Sequence, residues 1–138
     1  MTLVAEVQQL YRNLHAGNLE QLGRVYAENV LFIDPFHRIE GLQPLKAYFA
    51  GMYSNVRHVE FQFERVLQDD SSALIRWTMS LSHPRLNSGR TLHVPGVTEL
   101  EFTDRITLHR DFFDAGALLY EQVPVIGWAI RRIKERIA

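Results

Sequence analysis

Near residue 58 the hydrophobic periodicity of this chain changes, and that change limits what it can fold into. Upstream, apolar residues recur at helical spacing; downstream they alternate, so helices must come first and a sheet after them. His58 to Leu67 alternates around Phe61 and Phe63, and Ala73 to His83 puts Ile75, Trp77, Met79 and Leu81 on one face. Asp69-Asp70-Ser71-Ser72 between them is a turn, which makes the pair an antiparallel hairpin. Pro84 to Gly89 is the next turn and Thr91 to Phe102 the next strand, where Gly96 after Pro95 marks a bulge or bend. Thr103-Asp104 is a tight connection into a fourth strand that runs to Asp114.

Upstream of the switch, Leu3, Val7, Leu10, Tyr11 and Leu14 form the apolar side of a first helix over residues 3 to 16, closed by Gly17-Asn18. Leu19, Leu22, Val25 and Tyr26 continue as a second short helix. Val30-Leu31-Phe32-Ile33 is a short strand, ended by Asp34-Pro35 because proline cannot donate to a ladder. Gly41 and Pro44 set up a third helix with the stripe Leu45, Tyr48, Phe49, Met52 and Tyr53. Three helices around one short strand, then four long antiparallel strands, is an α+β layout with helices on the concave face of a curved, mostly antiparallel sheet. At 138 residues this is one domain, able to bury roughly two-thirds of the surface its unfolded chain exposes.

Beyond Asp114 the pattern becomes helical again. Ala115 to Val123 reads as a helix broken by Pro124, and Ile126, Ile130, Ile133 and Ile137 make an apolar stripe opposite Arg131, Arg132, Lys134 and Arg136. We divide the chain into a domain over 1–114 and a helical extension of it over 115–138. The stripe most simply packs on the sheet or on a partner subunit. A lid or a membrane-surface contact is the sharper and less favoured reading.

With 15 basic and 16 acidic residues the net charge is -1, so general attraction to nucleic acid or anionic lipid is excluded. There are no cysteines, which removes disulfides, thiolate metal sites and cysteine nucleophiles and suits the cytoplasm. The N-terminus has no basic region followed by an apolar run, and no stretch approaches the roughly 20 apolar residues that cross a bilayer. No Gly-rich phosphate loop is present, and no cofactor is expected. His83 and His93 flank a turn, but without a third ligand at fixed spacing no metal site is expected.

The candidate chemistry lies on two aspartates. Alternation in the last strand puts Thr107, His109, Asp111 and Phe113 on one face, and a carboxylate beside a Phe in a dry interior must be paired, hydrogen-bonded or protonated. Asp111 is either held by an arginine such as Arg76 or Arg110, or is an acid facing a pocket. Asp34 is either a turn residue accepting from backbone N–H groups two residues on, or a partly desolvated base. His37 and His109 are the accessory donors.

The element order, with Tyr26-Ala27-Glu28-Asn29-Val30-Leu31-Phe32-Ile33-Asp34-Pro35-Phe36 and Arg105-Ile106-Thr107-Leu108-His109-Arg110-Asp111-Phe112-Phe113-Asp114, resembles the nuclear transport factor 2-like superfamily, in its SnoaL-like and ketosteroid isomerase-like branch. The resemblance spans about residues 3 to 114. It implies a cone-shaped half-barrel with an apolar ligand pocket at its open end, and a homodimer formed through the open sheet face. Asp34 falls where the isomerases keep their base, Leu10 at their tyrosine position with Tyr11 one residue off, and Thr98 about where their second acid stands. The Arg-x-Asp pair of limonene epoxide hydrolases falls near Leu100 and Phe102, so that triad is broken. Asp111 matches the last-strand acid of SnoaL-type cyclases. Tyr11, Phe36, Phe49, Tyr53, Phe63, Trp77, Thr98, Leu100 and Phe113 are the expected pocket lining. The implied activity is cofactor-independent isomerisation or cyclisation of an apolar carbonyl compound by Asp acid/base transfer; the alternative is a binding module for a hydrophobic ligand or protein, without chemistry.

Overall fold

The structure is a computed structural model that describes residues 1–85, 87–118 and 124–138. Helix α1 spans Leu3–Asn13, capped by the Thr2 side chain accepting from the Ala5 N–H. It stops short of residue 16 because local side-chain bonds take over: Asn18 Oδ1 accepts from the His15 N–H at 2.8 Å and Asn18 Nδ2 donates to the Asn13 carbonyl at 2.8 Å. A short 3-10 turn, Leu19–Gln21, leads into α2, Leu22–Val25.

Strand β1 is Tyr26–Ile33, longer than its apolar run suggests, and the extra residues span an irregularity between Tyr26 and Leu31 where Glu28 and Asn29 are accommodated. A three-residue strand β2, Arg38–Glu40, turns back on it; nothing in its polar sequence announces a strand. Helix α3, Leu42–Asn55, begins after Gly41, whose φ of +98° suits glycine. Then come β3, His58–Gln68, β4, Ser72–Ser82, β5, Leu92–Phe102, and β6, Ile106–Phe113. Helix α4 is Ala115–Leu118, and α5 is Pro124–Ile137, with Pro124 starting a helix where its missing N–H costs nothing. The rest of the helix expected to Val123 lies outside the described residues.

The six strands form one unclosed sheet in the order β2-β1-β6-β5-β4-β3, with β1 and β6 parallel and every other pair antiparallel. Inward residues of α1, α2 and α3, among them Val4, Val7, Leu22, Leu45 and Phe49, pack with Ile75, Trp77, Leu100 and Ile106 of the sheet in one core. Gly96 is not a bulge: β4 and β5 pair without a shift through Trp77 and Gly96, and the Trp77 ring lies where a Cβ on Gly96 would be, 2.3 Å from its nearest ring carbon. On α5, Ile133 and Ile137 are 60% and 80% exposed, so the end of the stripe is largely open to solvent. Among the described residues no helix is long and apolar enough to cross a membrane.

Candidate active site

Strand register brings the two candidate acids together. In the parallel pair Phe32 lies beside His109 and Ile33 beside Arg110, so the next residues along the two strands are Asp34 and Asp111. Across β5 and β4, Asp111 faces Thr98 and Thr98 faces Ile75. Helix α3 covers this level of the sheet with Tyr48, Phe49 and Met52, and between them lies a cavity of about 400 Å³. Asp34, His37, Asp111, Tyr11, Phe36, Phe49, Trp77 and Phe113 all line it.

Asp111 is held from one side. Its Oδ1 accepts from Thr98 Oγ1 at 2.5 Å and from His109 Nε2 at 2.8 Å; among the described residues Oδ2 has no hydrogen-bond donor. The Thr98 hydroxyl is oriented by the Trp77 indole N–H, which donates to it at 2.8 Å and leaves the hydroxyl proton for the carboxylate. Neither expected arginine takes part. Arg76 pairs with Glu64 at 3.1 Å, and Arg110 lies 4.9 Å from the centre of the Phe112 ring on the outer face.

Behind Asp111 a buried line of polar groups runs to the helices. His109 is 2% exposed, and its Nδ1 is 2.7 Å from the Tyr26 hydroxyl, which is 2.6 Å from that of Tyr11. A carboxylate only accepts, so Nε2 carries the ring proton. In the neutral ring Nδ1 accepts from Tyr26, which accepts from Tyr11. Burial pushes the Tyr11 phenol well up, helped by Tyr26 and the charge of Asp111; burial does the same to Tyr26. Both phenols therefore serve as neutral donors.

Asp34 is held from both sides. Its Oδ1 accepts from the backbone N–H groups of Phe36 and His37 at 2.8 Å each and from His37 Nδ1 at 3.2 Å, and its Oδ2 accepts from the Tyr48 hydroxyl at 3.1 Å. The Asp-Pro turn has formed as the dipeptide favours, with its carboxylate still on the cavity wall. Burial first, and then Asp34, pushes the Tyr48 phenol up.

The remaining expected lining divides. Phe63 and Thr98 border a hollow of about 20 Å³ beside Asp111 and His109. Leu100 is wholly buried in the core, and Tyr53 packs on Phe49 with a buried hydroxyl that has no partner among the described residues. Tyr11 faces the cavity while Leu10 packs in the core, so the cavity-facing phenol on α1 is the residue one off the spacing. Sequence reasoning missed Tyr26 and Tyr48 as polar partners; the available signal was a tyrosine on an apolar stripe, whose hydroxyl needs a partner when buried. His83 reaches the cavity, whereas His93 bonds Ser80, and no group of three His, Asp or Glu among the described residues could hold a metal.

A family model described as the SnoaL-like domain matches residues 7–109. The chain belongs to the SnoaL-like domain family. No curated protein matches this SnoaL-like chain. Among solved structures it is similar to a protein assigned as an isomerase from Rhodopseudomonas palustris, with TM-score 0.75, 20% identity, and 90% of this chain and 97% of that chain covered. It is also similar to a protein assigned as a SnoaL-like polyketide cyclase from Jannaschia sp. CCS1, with TM-score 0.70, 20% identity, and 81% and 85% covered. An LEH-like epoxide hydrolase from M. tuberculosis matches with TM-score 0.71, 18% identity, and 94% and 96% covered. Likeness at this identity speaks for the SnoaL-like fold alone.

Proposed function

We propose that this protein is a cofactor-independent isomerase or cyclase that moves a proton on an apolar carbonyl compound, with Asp111 as the acid/base. One observation carries the reading: Asp111, on the wall of a largely apolar and aromatic cavity, has one oxygen fixed by His109 and Thr98 and the other without a donor among the described residues. A base needs an accessible oxygen whose position is fixed before the substrate arrives. His109 keeps the carboxylate in place, and through Tyr26 it links Asp111 to Tyr11, whose phenol also lines the cavity. Asp34, with both oxygens engaged, serves as a fixed charge rather than as the base. We place the protein in the cytoplasm as a homodimer.

The test is exchange of α-protons for deuterium on a panel of ketones and polyketide-like compounds, followed by NMR. Asp111→Asn, with its fold confirmed by circular dichroism, is expected to lose about 10²- to 10⁴-fold in rate. Equal rates in the two proteins would end this reading. The second reading is a binding module of the same fold, favoured by a threonine, Thr98, rather than an acid at the β5 position opposite Asp111. It expects no exchange in the native protein, and ligand affinity that survives neutralising both aspartates.

A further inference from the structure

Among the described residues lining the cavity, eight are Phe, Tyr or Trp, two are aspartates, and none is Lys or Arg. We propose that the cavity takes an organic cation, a protonated or quaternary amine on an apolar body, with the Asp34 carboxylate as its fixed counter-charge. The inference rests on reading this cavity as the ligand site, and not on which group moves a proton.

Three observations lead to it. The Asp34 side chain is 6% exposed, and two backbone N–H groups and the Tyr48 hydroxyl hold it in one position, so its charge acts across a low-dielectric space without reorganising. Its neighbours are aromatic: Tyr48 donates to it, and Phe36, the second residue after it, lies 5.9 Å from Phe113 between ring centres, both rings on the cavity wall. Ring faces attract a cation through their quadrupole, most strongly where water is excluded. Finally, the wall offers an anionic ligand no permanent cation. Of the histidines on the wall, His37 turns a ring nitrogen to Asp34 at 3.2 Å and His83 accepts from the Arg85 N–H through Nδ1, while His109 behind the wall turns one to Asp111 at 2.8 Å. A hydrocarbon of the same shape would gain only apolar burial, whereas a cation gains the burial, the rings and the carboxylate together.

The experiment titrates the full chain with phenyltrimethylammonium and with tert-butylbenzene, which have the same shape and differ by one charge. The NMR resonance of the Trp77 indole N–H reports occupancy of the cavity. The cation is expected to bind at least tenfold more tightly, and Asp34→Asn to bring the ratio toward one with tert-butylbenzene affinity unchanged. Should Asp34→Asn fail to fold, Phe36→Leu removes a ring while keeping the turn, and is expected to weaken the cation more than the hydrocarbon. Equal or tighter binding of tert-butylbenzene overturns the proposal and leaves the Asp111 chemistry standing. Failure of both probes to shift the Trp77 resonance overturns it together with the reading of this cavity as a ligand site.

Discussion

Tyr26 joins the helical and sheet halves of the site: it is wholly buried, it sits at the start of a strand, and its hydroxyl touches both Tyr11 and His109. Burial raises its phenol and those of Tyr11, Tyr48 and Tyr53, four of the five tyrosines. In the unfolded chain these phenols ionise near pH 10, while in the folded chain they stay neutral above it. Their contribution to stability is therefore whole below about pH 10 and is lost as pH rises further, because the unfolded state releases protons first. In an alkaline titration the tyrosinate absorbance of these four is expected to appear together with loss of the near-ultraviolet circular dichroism. Four tyrosinates forming while the fold persists would contradict the buried network. At this scale the sequence pointed to Asp34, Asp111, His37 and His109, because carboxylates and imidazoles among aromatics are chemically conspicuous. It did not say which aspartate keeps an open oxygen, since that depends on Thr98, 13 residues away on another strand.

Among elements, β4 and β5 meet closely beside the site. The Trp77 ring occupies the space above Gly96, and the same indole orients Thr98. Gly96→Ala would put a methyl into the ring, so the Trp77–Thr98–Asp111 chain must move or the strands must part. We expect a loss of roughly 1–3 kcal/mol or more in urea unfolding, together with a displaced Trp77 indole N–H resonance. An unchanged midpoint would show that the ring has room to leave. The long strands and the third helix followed from periodicity, because their buried faces repeat over several turns or pleats. The end of α1 and the start of β1 did not. Asn18 caps the loop with its own side chain, and Tyr26 satisfies a helical pattern and a strand equally well. Strand β2 has no apolar pattern, for it is only three residues long at the sheet edge.

For the whole molecule, the outer face of the sheet exposes apolar side chains among the described residues. Leu67 and Leu74 are paired across β3 and β4, Phe112 lies on β6, and all three are exposed. Apolar side chains on a broad sheet face are suited to a second copy, and this is where we place the contact of the proposed homodimer. Light scattering is expected to give twice the mass of the 16.0 kDa chain, and Leu74→Glu to shift the equilibrium toward the monomer. A monomer at every concentration would remove this contact.

The position of β6 also sets an order of assembly. The last strand to be synthesised is an interior strand of the sheet, lying between β1 and β5. Until it emerges from the ribosome, α1, α2 and α3 with β1 and β2 form one group and the β3-β4-β5 meander another, with no ladder joining them among the described residues. Closing the sheet pairs Tyr26 with Ile106 across 80 residues, a slow, long-range step whose loop-closure entropy must be met before the contacts form. The strand that joins the two groups is also the one that carries His109 and Asp111. An unfinished chain therefore has neither a complete sheet nor Asp111 in its cavity, and the two are completed by the same event.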